Sequence, residues 1–247
     1  MEGARLRLRM VVVNFRHCIV HVCAVLGLLA AGPLDAHEFH GYLTLTSDYV
    51  FRGASQSNED PTVQGGLDYR HPGGVFAGVF AAHIDYPEND FGSNPGSVEF
   101  DAYVGYSRTI ARDWSWDVAV LRYDFPDSTG IDYSYAELAA NLHFRDVLRV
   151  GVTASDDAGA SRDGGWTAEI EMRRSFGDGY QLSGSLGYYG FGRADWDDYA
   201  YWDLGVSAVA GAFTFDLRYF DMDGDEAGFA GPELTGSRLV GSVSVGF

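Results

Sequence analysis

Charged side chains recur at every second position in this chain, within stretches whose alternate positions are apolar. Asp48 and Arg52 stand this way, as do Asp68 and Arg70, Glu99 and Asp101, Glu137, Glu169 with Glu171 and Arg173, Asp203, and Asp216 with Arg218. Asp85, Asp117, Arg149 and Arg238 fit the same spacing. On extended backbone a period of two sends all of these groups to one face. Carboxylates in excess over guanidiniums, around a space with low-dielectric walls, focus a field that favours cations. The competing outcome is a lattice of ion pairs that braces the wall from inside and fills the space. For Asp48 and Arg52 the sequence favours a structural ion pair.

Other chemistry is poorly supplied. Catalysis by nucleophilic attack needs a nucleophile and a base within hydrogen-bond reach. His83 and His143 are the candidate bases, both expected on the charged face, yet no Gly-x-Ser-x-Gly elbow occurs and no Ser stands in an evident relation to either. No enzyme activity and no cofactor are expected. Asp221, Asp223 and Asp225, with Glu226, crowd hard oxygen ligands of the kind Ca²⁺ takes. The Gly and closing Glu of an EF-hand are not at the required offsets. Solvated loop charge is the plainer reading, and no metal site is assigned.

The elements that would position these charges are strands. Residues 43–52 alternate Leu43, Leu45, Tyr49 and Phe51 with Thr44, Thr46, Asp48 and Arg52. The same alternation predicts strands at 62–70, 75–86, 98–107, 114–123, 133–144, 147–154, 166–176, 180–189, 199–209, 213–220 and 238–247, least cleanly at 75–86 and 114–123. Short connections such as 71–74, 145–146 and 211–212 alternate strictly with long acidic ones such as 87–97, 190–198 and 221–237. Strands of ten to twelve residues suit a tilted membrane crossing of about 9–11 residues better than a sandwich, whose strands run to about 5–6. The expectation is an all-β, transmembrane up-and-down antiparallel β-barrel of about 12 strands. Its turns would be short and periplasmic, its exterior loops long and acidic, and both termini periplasmic.

Aromatic residues mark the ends of the predicted strands. Tyr69, Phe76, Trp114, Phe144, Phe176, Tyr180, Phe213 and Phe247 fall near the short turns, and Phe51, Tyr86, Trp166, Tyr188, Trp202 and Tyr219 near the long loops. Two such belts are what the two interfaces of a bilayer select. Phe247, in register with Leu239, Val243 and Val245, resembles the C-terminal signal read by the outer-membrane assembly machinery.

Residues 1–36 read differently. Arg5, Arg7, Arg9 and Arg16 precede an apolar run from Cys18 to Ala31, which ends at small residues near Ala36. That is the layout of a secretory signal peptide, and the run is shorter than the roughly 18–20 residues of a transmembrane helix. The barrel domain is expected over 37–247. Both cysteines, Cys18 and Cys23, fall in the first segment, so disulfides and thiolate metal sites are excluded from the second. The chain of 247 residues has 35 acidic against 17 basic residues, which excludes nucleic acid as a partner.

Residues 47–69, SDYVFRGASQSNEDPTVQGGLDY, carry a resemblance. Ser47, Asp48, Tyr49, Phe51, Arg52, Gly53, Ser55, Gln56, Pro61, Gln64, Gly65 and Gly66 resemble the opening block of the TorF family of porins, formerly catalogued as conserved hypothetical proteins of Gram-negative bacteria. Glu99–Tyr106, Tyr123 with Phe125–Pro126, and Tyr133–Glu137 are similar to its later blocks, with Phe125 where Tyr is expected. The resemblance implies an outer-membrane barrel of porin type and brings no solute with it. The function expected is a passive, cation-preferring channel for small hydrophilic solutes in the outer membrane of a Gram-negative bacterium. The alternative is a plugged barrel with a structural or binding role. Outer-membrane lipid, lipopolysaccharide and the assembly machinery are the other partners expected.

Overall fold

A computed structural model of the chain describes residues 37–87, 93–157, 163–192, 196–224, 231 and 234–247. Fourteen strands occur among them: β1 (Glu38–Thr46), β2 (Val50–Phe51), β3 (Ala54–Ser55), β4 (Thr62–Arg70), β5 (Val75–His83), β6 (Val98–Ala111), β7 (Trp114–Asp124), β8 (Tyr135–Phe144), β9 (Leu148–Ser155), β10 (Gly165–Phe176), β11 (Tyr180–Phe191), β12 (Tyr199–Ala210), β13 (Phe213–Met222) and β14 (Arg238–Gly246). Twelve of these form one closed antiparallel barrel, in which each strand pairs with its chain neighbours and β1 closes on β14 from Tyr42↔Gly246 to Thr46↔Ser242. The remaining two, β2 and β3, form a separate hairpin. No helix occurs among the described residues. The expected fold class therefore stands, while the predicted signal segment lies outside the described residues.

Closure removes every strand edge, so the backbone needs no water along the wall. The outer face is correspondingly apolar: Leu43, Leu45, Val63, Leu67, Leu138, Val152, Leu186, Leu204 and Leu217 are all exposed large hydrophobics on strands. The belts expected at the two rims are cross-strand aromatic pairs. Trp114 packs on Phe144 at 4.9 Å and Phe176 on Tyr180 at 5.8 Å beside the short turns. Trp166 packs on Tyr188 at 5.5 Å and Trp202 on Tyr219 at 5.4 Å beside the long loops. A strand of twelve residues is about 40 Å long and, at the usual tilt, rises roughly 30 Å, the thickness of a hydrocarbon core.

Two expectations need correction. The strand predicted at 43–52 is instead β1, which begins at Glu38 and ends at Thr46. Past it, Thr46 Oγ1 donates to the Asp48 carbonyl at 2.7 Å, and the chain leaves the wall for the β2–β3 hairpin. Phe51 thus lies beside Tyr123 and over the Arg52 guanidinium, not in an aromatic belt. The segment 75–86 is out of register by one residue. Phe76 and Phe80 turn inward onto Tyr103 and Tyr49, and Tyr86 is buried against Gln56. His83 and Asp85 are exposed, on the opposite alternation. Inward phenylalanines are stable here because the space they enter is filled by protein. The barrel interior holds the apolar core, in which Ala54, Ile84, Tyr86, Tyr189, Tyr199, Tyr201, Met222 and Leu234 pack together with Tyr49, Phe125 and Phe191 against them.

Candidate functional site

The β2–β3 hairpin crosses the lumen near the long-loop rim. Its two central residues, Arg52 and Gly53, have φ of 50° and 87°. Positive φ at both positions matches the right-handed twist of a two-residue hairpin, and Gly adopts it without strain. For Arg it is costly and must be held from outside. Glu137 on β8 does the holding: Arg52 Nη1 and Nη2 donate to its two carboxylate oxygens at 2.7 and 2.8 Å. Nη2 also reaches Thr153 Oγ1 on β9 at 3.3 Å, and the guanidinium lies 5.4 Å from the Tyr189 ring centroid. Gly53 meets the far wall so closely that a Cβ there would stand 2.9 Å from Tyr201 Cβ and 3.0 Å from Met222 Cβ.

A second ion pair holds the hairpin's base. Asp48, 6% exposed, accepts from Ser55 Oγ at 2.6 Å and from Arg238 Nη1 on β14 at 3.2 Å. Arg238 Nη2 also donates to the carbonyls of Leu234 and Thr235 at 2.9 and 2.7 Å, and Ser57 Oγ lies 3.0 Å from the same Asp48 oxygen as Ser55. Ser55 N donates to Leu234 O at 2.8 Å and Asp85 N to Gln56 O at 3.0 Å. Asp48 and Arg52 do each form a structural ion pair, but with the barrel wall and not with one another.

Beside the hairpin a cavity of about 380 Å³ opens along the inner face of β9–β13. Val50–Gly53 form one side; Arg149, Thr153, Glu169, Glu171, Asp203 and Arg218 project from the other. The charges there are knit together. Arg149 Nε donates to Glu171 at 3.0 Å, and its Nη2 pairs with Glu169, which also accepts from Tyr201 Oη at 2.9 Å. Arg149 Nη1 reaches Asn141 Oδ1 at 3.2 Å; Asn141 Nδ2 in turn donates to Asp117 at 2.9 Å, and His143 Nε2 stands 2.5 Å from the other Asp117 oxygen. Arg218 pairs with Asp203 and, at 3.2 Å, with Asp216, and donates to Ser183 Oγ at 2.7 Å.

The other predicted lumen charges are scattered. Asp68 accepts from Tyr103 Oη on the far side of the barrel. Arg70 is exposed above the Phe76 ring, and Arg173 lies 3.5 Å from Glu171 toward the short-turn rim. Glu99 and Asp101 are 3% and 9% exposed on β6 and join none of the ion pairs found among the described residues. In the Ca²⁺ candidate, Asp221 accepts from Met222 N at 2.9 Å and Asp223 from Ala200 N; Asp225 and Glu226 lie outside the described residues. His143 faces the lumen as expected and is engaged with Asp117, whereas His83 does not. Phe247, 75% exposed, pairs its backbone with Gly41, and its ring covers the position a Gly41 side chain would occupy.

At the exterior rim Asp127 receives Ser97 Oγ at 2.6 Å, Ser97 N at 3.0 Å and Val98 N at 3.3 Å. Partial burial alone would raise this carboxyl, but those bonds outweigh it and hold it below the usual range. Asp132 is lowered likewise, by bonds from the Ser134 backbone and side chain.

The hairpin and its tyrosine surround are what sequence reasoning missed. Tyr123, Tyr189, Tyr199 and Tyr201 face inward and are buried around it. The available signal was the Arg52–Gly53 pair, a turn dipeptide inside a supposed strand, followed by the small polar run Ser55-Gln56-Ser57-Asn58.

Among solved structures, the barrel is similar to that of the KdgM porin, with a TM-score of 0.53, 9% identity and coverage of 84% of this chain and 99% of that one. It is similar also to the NanC porin, with a TM-score of 0.56, 10% identity and coverage of 85% and 99%. At these identities the likeness concerns the fold. A search of the curated proteins found no match. One family model spans residues 30–244, and the chain belongs to that family, described as a bacterial protein of unknown function (Gcw_chp).

Proposed function

We propose that the chain is an outer-membrane porin of the TorF type, resident in a Gram-negative bacterium and surrounded there by lipid and lipopolysaccharide. It conducts small hydrophilic solutes passively through a narrow lumen and prefers cations. The observation that carries this reading is the polar cavity of about 380 Å³ between the hairpin and the β9–β13 wall. In its lining three carboxylates, Glu169, Glu171 and Asp203, are set against three arginines, Arg52, Arg149 and Arg218, while over the inner wall as a whole acidic groups outnumber bases. A low-dielectric wall makes that excess felt by a passing ion. The wide likeness in fold to KdgM and NanC, both porins, supports the architecture this requires. No chemistry on a substrate is part of the reading. Delivery to the membrane through the assembly machinery is supported by the terminal strand and Phe247.

A second reading rests on the hairpin itself: bonded to β8, β9 and β14, it would leave a closed barrel with a structural or binding role. Single-channel recording of the refolded chain in a planar bilayer under a KCl gradient separates the two. Stable steps with a reversal potential toward K⁺ are the expected result. Steps with anion preference would refute the selectivity and keep the pore, while a correctly folded barrel without steps would refute the channel.

A further inference from the structure

Arg108, Arg112, Arg145 and Arg174 are exposed where the outer face of β6–β10 meets the short turns. Arg108 on β6 shares the outward alternation of Val104 and Tyr106, and Arg174 on β10 that of Ile170 and Met172. Both stand on the lipid side of the aromatic belt. Arg108 is the cross-strand partner of Trp116, two residues inside Trp114, and Arg174 precedes Phe176 by two residues. Arg112 and Arg145 lie in the turns after β6 and β8. Those turns are tied together, since Arg145 N donates to Asp113 O at 2.7 Å and Arg173 N to Val147 O at 2.9 Å. Arg145 has its own carboxylate, Asp113 at 3.1 Å. Arg108, Arg112 and Arg174 join none of the ion pairs found among the described residues. The other rim differs: Arg122, on the same outer face near the long loops, is paired with Asp124 at 2.9 Å.

A guanidinium on a lipid-facing position is costly unless its head reaches an anion or water at the interface. The stem of Arg allows that, lying along the apolar wall while the head rises to headgroup level. Phosphate is the anion found at that level, and the planar fork of Arg fits its oxygens with two parallel bonds. The chain as a whole is acidic, and the short turns at 177–179 and 211–212 hold no arginine, so this basic surface belongs to one side of the barrel. We propose that the short-turn rim of β6–β10 docks the headgroups of anionic phospholipids. The inference rests on the membrane setting given above and adds to it a lipid class, a leaflet and a side of the barrel. Bound there, the lipids supply Arg108, Arg112 and Arg174 with the counter-charge that Asp124 supplies to Arg122.

The test uses the chain refolded into phosphatidylcholine vesicles, in a W166F/W196F/W202F background that leaves Trp114 and Trp116 as reporters beside the patch. Brominated phosphatidylglycerol or brominated phosphatidylcholine is mixed in at equal mole fractions, and quenching of tryptophan fluorescence is followed. The anionic lipid is expected to reach half-maximal quenching at a mole fraction about fivefold lower, the factor one interfacial arginine supplies. In about 1 M NaCl that advantage is expected to vanish. The R108Q/R112Q/R174Q variant is expected to respond equally to both lipids. Should it not refold, R112Q alone, in a turn outside the wall, is expected to lower the preference at least about twofold. Equal quenching by the two lipids before any arginine is changed would overturn the proposal. So would a preference that survives in the variants, since it would belong to other residues. Absence of quenching by either lipid would overturn the membrane setting and the proposal with it, so the two failures are told apart.

Discussion

Arg52, at the tip of a hairpin inside the barrel, and Glu137, on the wall 85 residues further along the chain, bind each other through two parallel hydrogen bonds of 2.7 and 2.8 Å. Their side chains are 10% and 2% exposed. Removing one partner of such a pair leaves a buried charge uncompensated, at a cost of about 3–5 kcal/mol. The barrel wall does not depend on the pair, so the loss should fall on hairpin docking. Glu137→Ala is therefore expected to raise single-channel conductance and to expose the 47–57 segment to protease while the barrel stays closed. Unchanged conductance together with unchanged protease resistance would show that the pair is not what holds the hairpin in place.

Gly53 tests the same docking without touching a charge. Its φ of 87° and the Cβ atoms of Tyr201 and Met222 leave no room for a side chain. Gly53→Ala should cost about 1–3 kcal/mol in backbone conformation. Overpacking against the two Cβ atoms adds roughly 1–3 kcal/mol more. Conductance is expected to rise as in Glu137→Ala, with the reversal potential left nearer that of the parent. A rise in conductance with an equal change of selectivity would show that geometry and charge are not separable at this point.

How far the sequence reaches is clearest where it stops. The alternation of Glu99, Asp101 and Tyr103 against Phe100, Ala102 and Val104 places that strand and its faces correctly, because lipid outside and polar groups inside give opposite signals. At Phe76 and Phe80 the rule fails. It presumes water within the barrel, and these rings meet Tyr103 and Tyr49 instead. The hairpin is hidden for a related reason. Asp48, Tyr49, Phe51 and Arg52 alternate as a wall strand would, and only the positive φ of Arg52 and Gly53, a property of backbone and not of polarity, turns them across the lumen. Pairings such as Asp48 with Arg238 span nearly the whole chain and leave no local trace.

Selectivity should reside in the carboxylates along the cavity. Glu169 and Asp203 line it, whereas Asp85 is exposed away from the lumen. A unit charge about 4 Å from an ion is worth about 1 kcal/mol in water, or roughly five-fold in permeability ratio. Glu169→Gln and Asp203→Asn are each expected to lower the K⁺/Cl⁻ ratio by an amount of that order, and Asp85→Asn to leave it unchanged. Reversal potentials in a KCl gradient decide the matter. An equal effect from Asp85→Asn would move the selectivity determinant to the rim.

The exterior rim carries the pH dependence. Asp127 accepts three hydrogen bonds from Ser97 and Val98, and the backbones of Asn94 and Thr129 pair beside it, so this carboxylate pins the loop before β6 to the loop after β7. Those bonds, working against partial burial, hold its pKa below the usual value. A carboxyl that titrates lower in the folded state stabilises that state fully above its unfolded pKa, about 3.9, and the contribution fades as pH falls through the lower folded value. Amide exchange at Ser97 and Val98, expressed as protection factors, is expected to hold constant from neutral pH down to about 5 and to drop below about 4. Asp127→Asn should start with lower protection and show no such drop. Because the site is largely open to solvent, the effect is confined to these loops, and overall Tm should follow the same pH course in parent and variant. Loss of protection that began above pH 5 would assign the pin to a different group.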